Sequence, residues 1–374
     1  MSTVKLVYDG TEVRIPEELG MPREDQMQGT ELEKLAELAG RSCYDSLGAG
    51  RSSADFHKHI REVKHHSVLR HCNCVICIPS SIFSTRELME LFIITHNLPG
   101  KFLGVATAVD ADIPMVRLCV NLQTIAECEN WLIDYDNEMS QFVAFLFKQV
   151  GKKLAPQCFQ EVEIDDSFNF DKVLFPPLND EERWISLYMS GSRGFSHEQV
   201  RHNHRSAVSQ RSTRYCDETA SPWIRHPLLT QYLNSDNPNA YDLCCKTDYA
   251  IDACQSVYKT TVERLQEFLK MRDVDSLTAR KQARGAARGI LGNALETELI
   301  WSASVSQWRR QLQQRLSNAA DAEIRLLYSS VLTELRKSQY ADRFADLETE
   351  NAKDGIGVVL KEKTEDTGNE TEEK

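Results

Sequence analysis

The stretch SHEQVRHNHRSAVSQRSTRY, Ser196 to Tyr215, is dense in histidine, arginine, serine and glutamine and poor in apolar residues. A helix packed on a core repeats an apolar residue every three or four positions. Here only Val200, Ala207 and Val208 could serve. The segment therefore reads either as a solvated face or as one wall of a site for an anion. Ser196 followed by Gln199 has the spacing of a capping box, which predicts a helix beginning at Ser196 and a loop after it. The choice between the two readings depends on what the rest of the chain can bring to the same place.

The chain has 374 residues, 41% of them hydrophobic, enough for a core in one large domain or two smaller ones. A net charge of −12 argues against a general nucleic-acid coat, while leaving room for a local basic patch. The eleven cysteines are scattered, several inside apolar runs, which suits reduced thiols and a cytoplasmic location better than a disulfide framework. Cys72, Cys74 and Cys77 form the tightest group. In a strand Cys77 points away from the other two, and no second pair follows at zinc spacing, so packing is expected and no metal site. No apolar run is long enough to cross a bilayer. The N-terminus reads as a strand, a turn at Asp9-Gly10 and a second strand.

Further elements follow from caps and periodicity. Thr30 with Glu33 opens a helix whose face holds Leu32, Leu35, Ala36 and Ala39, and a second helix gathers Phe56, Ile60 and Val63. A strand is expected at 72–78. Ser84 with Glu87 and Thr124 with Glu127 predict two more helices, the first broken at Asn97-Leu98-Pro99-Gly100, and another is expected at 137–150. Ile185 to Met189 reads as a short strand. Asn239 to Met271 is a long helical pattern, and helices are expected near 276–289, 304–315 and 320–338. No internal repeat shows. The acidic segment at the C-terminus, residues 350–374, reads as a solvated tail.

Four polar clusters stand out: His65 to His71, the opening stretch, Ala283 to Gly292 with Arg284 and Arg288, and Trp308 to Arg315. Each alone also fits a solvated surface. None is a nucleophile elbow, a P-loop or a dinucleotide fingerprint.

Taken in order, the four clusters resemble the flavin-dependent thymidylate synthases, often called ThyX. That family has a turn of the type GHxSxxEH, then QxxRHRxxSxNExSxRY, then ARxxLP, then a helix ending in NxxxxR and an AQxEI element. Here His65-His66-Ser67-Val68-Leu69-Arg70-His71 precedes a strand, and Gln199 leads to His202-Asn203-His204 and on to Ser212-Thr213-Arg214-Tyr215. Ala287-Arg288-Gly289-Ile290-Leu291-Gly292 stands for ARxxLP. Arg310 and Arg315 follow, then Ala322-Glu323-Ile324. The RHR triplet has become HNH, the acidic residue has become Gln210 and the proline Gly292.

The resemblance implies an α+β fold, with a mostly antiparallel central sheet flanked by long helices. Residues 1–78 and 183–340 would form the catalytic domain, and 79–182 a mainly helical insertion. It implies a homotetramer using FAD, dUMP, methylenetetrahydrofolate and NADPH. Arg315 and Gln199 would act on the pyrimidine. Gln210, Ser212, Arg214 and Arg288 would join them in holding the nucleotide, since arginine's planar fork suits a phosphate. His65, Ser67, His202, Asn203, His204, Ser304 and Arg310 would line the flavin. Two alternatives stay open. One is a relative acting on another pyrimidine nucleotide or moving a hydroxymethyl group. The other is a non-enzymatic binder using Arg201, Arg205, Arg211, Arg214 and Arg225 on nucleic acid, which the overall acidity disfavours.

Overall fold

The structure is a computed structural model that describes residues 2–97, 104–106, 109–110, 113–132, 137–202 and 205–361. Its first half runs β1 (Thr3–Tyr8), α1 (Glu31–Tyr44), α2 (Ser53–Glu62), β2 (Asn73–Pro79), α3 (Thr85–Asn97), β3 (Gly104–Ala106), β4 (Val109–Asp110), β5 (Ile113–Asn121), α4 (Leu122–Leu132), α5 (Glu138–Leu154) and β6 (Leu174–Phe175). Then come β7 (Trp184–Ser192), α6 (Arg193–Gln199), β8 (Ser206–Gln210), α7 (Pro227–Leu233), α8 (Ala240–Lys270), α9 (Ser276–Ala287), β9 (Glu296–Ser304), α10 (Val305–Arg315), α11 (Ala322–Leu335), β10 (Thr349–Asn351) and β11 (Val358–Leu360).

Two antiparallel sheets organise these elements. One has the order β1-β7-β9-β8, the other β3-β5-β2-β6 with β4 also on β5. Alternation along β7 explains how the first sheet is used. Ile185, Leu187 and Met189 face a core completed by Trp308, Leu312, Tyr328 and Val331 of α10 and α11. Tyr188 turns the other way, into the core built from α1, α2, β2, β5, α4 and α5. The mixed α+β class expected from the sequence is what forms.

Local chemistry sets the helix starts. Thr30 and Glu33 close the expected capping box, Glu33 N donating to Thr30 Oγ1 at 3.2 Å and Thr30 N to Glu33 Oε2 at 3.0 Å. The helix expected from Ser196 begins three residues earlier. Strand β7 runs on to Ser192, whose Oγ accepts from Phe195 N at 3.0 Å and donates to Glu323 Oε2 at 2.6 Å. Asn121, not Thr124, caps α4, accepting from Thr124 N at 2.9 Å. The second N-terminal strand does not form. Asp9 is buried instead, and its Oδ2 accepts from Gln339 N at 2.9 Å.

Among the strands that went unread in the sequence, β8 and β9 matter most to the site. Strand β9 is central, and six of its nine residues in a row are buried, so polar and apolar positions do not alternate along it. The acidic tail also starts later than expected. Residues 350–360 contribute to the hairpin of β10 and β11, where Val358 and Leu360 pack against the core that holds α11 and Arg325 holds the turn through Ile356 O at 2.9 Å. Residues 362–374 and the expected break at 98–100 lie outside the described residues. Among the described residues no helix is long and apolar enough to cross a membrane.

Candidate active site

The helix α6 presents two faces. Gly194, His197 and Glu198 line a cavity of about 890 Å3 bounded by α6, α7, α8 and the start of α11. Ser196 and Gln199 point the other way, into the protein. Gln199 is fully buried. Its Nε2 donates to Gln311 Oε1 at 3.1 Å, while Tyr328 Oη lies 2.8 Å from Gln199 Oε1 and 2.6 Å from Gln311 Oε1. A phenol carries one proton; given to Gln199 Oε1, it leaves both amide oxygens served, since Gln311 Oε1 already accepts from Gln199 Nε2.

Arg315, at the last turn of α10, is 8% exposed and reaches the end of α6, donating from Nη2 to Glu198 O at 2.5 Å. Its Nε is buried with no partner, and among the described residues no carboxylate pairs with it. An unpaired N–H on a buried cation costs free energy. The expected pair Arg315 and Gln199 thus lie side by side at one end of α6, in a polar nest that is incomplete. Burial pushes the Tyr328 hydroxyl well above its ordinary range, so it stays protonated.

The second half of the opening stretch is a turn pinned to the C-terminal end of α1. Ser212 N donates to Cys43 O at 2.9 Å, Arg211 Nη1 pairs with Asp45 at 2.9 Å, and the Tyr215 ring packs edge-on to Tyr44 at 4.8 Å. Tyr44 Oη is also 3.2 Å from His65 Nδ1, so the histidine turn and the Ser212–Tyr215 turn meet across one tyrosine. Burial lowers the His65 pKa, the nearby His59 adding to the effect, and keeps its ring neutral. Gln210 Nε2 donates to Ser196 Oγ at 3.0 Å and to Thr297 Oγ1 at 3.1 Å, so its amide is committed inside the protein.

Arg214 is exposed, and its side chain runs beside Gly285 of α9, whose missing Cβ would stand 3.8 Å from Arg214 Cγ. Arg284 ties α9 to the turn through Asp217 Oδ2 at 2.8 Å and Tyr215 O. One turn on, Arg288 is exposed and unpaired among the described carboxylates. Arg193, which the sequence reading overlooked, is partly buried. Burial lowers its pKa, Glu218 opposes that and the charge of Arg288 adds to it. Like charges that oppose each other in this way gain when an anion is bound near both. Arg214 beside Gly285 and Arg288 at the end of α9 thus belong to one helix end, and the Arg288 charge is felt at Arg193.

The residues expected along the flavin divide. Ser67 and Arg310 are exposed and His65 is half-buried. Arg310 Nη2 lies 3.7 Å from Glu181, whose other oxygen is 3.4 Å from Arg205 Nη1. Ser304 is a correction. It is fully buried and caps α10, accepting from Gln307 N at 3.2 Å, so its hydroxyl cannot face a cofactor. His202 ends a short 3-10 turn, and Asn203 and His204 lie outside the described residues. Of the described members, the exposed Arg310 and the half-buried ring of His65 are a cation and a flat ring, which suits an anionic cofactor with a flat ring system.

The sequence reading also missed Gln311, Tyr328 and Tyr44. None had a local signal, since each matters only through a tertiary contact. The expected packing role of the cysteine group agrees with the burial of Cys72 and Cys77, the latter thiol being pushed up to about 11 by burial.

The sequence model of the family described as Thymidylate synthase complementing protein matches residues 181–339. The flavin-dependent thymidylate synthase of Mycobacterium avium (strain 104) is 36% identical over 181 residues, covering 48% of this chain and 68% of that protein. The enzyme of the same name from Mycobacterium marinum is 35% identical over 180 residues, with the same coverage. A crystal structure of Thymidylate Synthase X from Helicobacter pylori with FAD and dUMP matches with a TM-score of 0.28 and 16% identity, covering 43% of this chain and 73% of that one, and at that score it carries no argument. The stretch aligned with the mycobacterial enzymes covers 68% of their length at 35–36% identity, and on that ground the chain belongs to the flavin-dependent thymidylate synthase family.

Proposed function

We propose that this protein converts dUMP to dTMP, moving a one-carbon unit from methylenetetrahydrofolate to C5 of the pyrimidine, with FAD as cofactor and NADPH as reductant. The observation that carries the reading is Arg315, a nearly buried guanidinium with an unpaired Nε beside Gln199. A pyrimidine carbonyl gains negative charge as its ring is attacked. A fixed, partly dry cation meets that charge without reorganising.

Arg193, Arg214 and Arg288 would clamp the phosphate, with the Ser212 hydroxyl adding a hydrogen bond. The Ser212 Oγ has Arg214 N as its described partner and no base, so it serves binding and not attack. Bound FAD supplies the hydride. His65, Ser67 and Arg310 are the residues that would hold it, and the edge of Tyr44 would keep the His65 ring oriented. The organic chemistry belongs to the flavin and folate, and the protein contributes position and field.

The test is direct. The purified protein is incubated with FAD, NADPH, methylenetetrahydrofolate and, in parallel, dUMP, UMP or dCMP, and products are read by mass. Formation of dTMP from dUMP alone is expected. A protein that stays colourless after FAD is added and yields no product would overturn the reading. Product from UMP or dCMP, or a hydroxymethyl product, would move it to the relative considered above.

A further inference from the structure

The two sheets share one plan. In the second half, β7 leads through α6 to β8, then to β9, α10 and α11. In the first half, β2 leads through α3 to β3, then to β5, α4 and α5. Strand order agrees: β8-β9-β7-β1 in one sheet, β3-β5-β2-β6 in the other. Register agrees as well. The first residue of the outgoing strand pairs with the residue that caps the helix after the return strand, Trp184 with Ser304 and Asn73 with Asn121. Both caps accept from the third residue on, Gln307 N at 3.2 Å and Thr124 N at 2.9 Å. The third strand also joins close to each cap: Ser206 pairs with Ala303, one residue before Ser304, and Gly104 with Cys119, two before Asn121.

The fourth strands are exchanged. Strand β1, at the head of the first half, pairs with β7, and β6, at the head of the second half, pairs with β2. Reciprocal exchange of an edge strand is how two copies of one fold join in a swapped dimer. Helices α7, α8 and α9 belong to the second half alone, lying between β8 and β9.

We infer that residues 73–154 are a second copy of the fold formed by residues 184–335, kept in the same chain as a partner subunit that has lost its binding chemistry. The caps fix the correspondence. Seven residues beyond their caps, α6, α10 and α11 each carry one member of the buried polar trio: Gln199 after Ser192, Gln311 after Ser304, Tyr328 after Asp321. Seven beyond Ser84, Asn121 and Asn137 stand Leu91, Cys128 and Ala144. Leu91 and Cys128 are buried in the first-half core, and Ala144 packs against it. Eleven beyond the cap, Arg315 is matched by Leu132. One half holds a polar centre with an unpaired cation, and at the matched cap-plus-seven positions the other half places Leu91, Cys128 and Ala144 in or against its apolar core. The block expected as an insertion thus occupies the place of a neighbouring copy, and each chain has one nucleotide site where two copies of the fold would have two.

Two measurements on the full chain test this. The first needs no ligand. The triple variant Gln199→Leu, Gln311→Leu, Tyr328→Phe makes the second-half centre apolar like the first, and its thermal unfolding is compared with that of the parent and of Leu91→Gln. If the centres are equivalent, the triple variant stays cooperative with a Tm within about 3 °C of the parent, while Leu91→Gln falls by roughly 5 °C or more. A triple variant that falls by more than Leu91→Gln overturns the inference. The second rests on the thymidylate reading. Equilibrium dialysis with labelled dUMP should give one dUMP per chain, lost in Arg315→Leu, whereas two per chain, or binding that survives Arg315→Leu, contradicts it. If the parent chain binds no dUMP, the thymidylate reading fails and the unfolding comparison decides the inference alone.

Discussion

Two buried polar groups flank the sheet of β7 and β9, and they differ in one respect. Around His71 every atom is served: Nδ1 lies 2.7 Å from Ser302 Oγ and Nε2 3.0 Å from Ser209 Oγ, and Ser302 also meets Ser186 Oγ at 2.6 Å. Around Arg315 the account does not close. The buried guanidinium Nε has no acceptor. A closed network positions strands. An open one costs stability in the free protein and is repaid only when a ligand supplies the missing partners. Histidine alone is therefore a poor guide to a site. His71 is the most deeply buried histidine of the HHSVLRH turn, and it is structural.

The sharpest break between the two comes from truncation. Arg315→Ala should lower kcat/KM for dUMP by about a thousandfold, the scale of removing a preorganised charge at a reacting carbonyl. The same change should leave Tm unchanged or slightly higher, since a buried cation without a carboxylate partner is removed. A large fall in Tm with activity retained would make Arg315 structural. His71→Ala should do the opposite. It leaves Ser302 and Ser209 without their shared partner and opens a cavity, at a cost of about 3 kcal/mol in urea unfolding, with KM for dUMP unchanged.

The phosphate turn gives a smaller and more specific effect. Arg214→Ala should raise KM for dUMP about ten- to a hundredfold with kcat nearly constant, since it removes binding common to ground and transition states. Uridine analogues lacking the phosphate should show no difference between parent and variant. If kcat falls instead, Arg214 acts on the chemistry.

Acid sensitivity reports the buried neutral histidines, His71 of the closed network and His57 outside it. Burial lowers the His71 pKa to about 3 and that of His57 to about 4, from 6.5 for an exposed histidine. Below 6.5 the unfolded chain binds protons that the folded chain refuses, so stability falls as pH falls. Each histidine contributes roughly 2 kcal/mol of this loss at pH 5. Urea midpoints at pH 7 and 5 should differ strongly in the parent and less in a His57→Gln, His71→Gln variant. Equal differences in both would mean that these rings are already charged when folded.

How much of this could be read in the sequence depends on range. Thr30–Glu33 and Ser84–Glu87 are local boxes, visible because donor and acceptor are three residues apart, and both form. Arg315 and Gln199 were found because a family pattern names them. Arg193, Gln311 and Tyr328 have no local mark, and their significance comes from strands and helices folded against one another. Strand β9 was missed because burial on both faces erases alternation. The repeated plan was missed for a related reason. It survives in cap positions, strand order and register, while the residues seven beyond each cap have changed from polar to apolar.

Ser304 offers the finest test, because the family pattern and the geometry disagree there. The pattern sets it beside the flavin. The structure buries it completely and uses its hydroxyl on Gln307 N, as Asn121 is used on Thr124 N in the other half. Losing such a cap costs about 1 kcal/mol. Ser304→Ala should therefore lower stability by about that amount, and Ser304→Asn, which imports the cap of the first half, should recover part of it where the buried space admits the larger side chain. FAD affinity, followed by flavin fluorescence, should match the parent in both variants. A severalfold loss of FAD in Ser304→Ala at unchanged stability would return the residue to the cofactor and break the equivalence of the two caps.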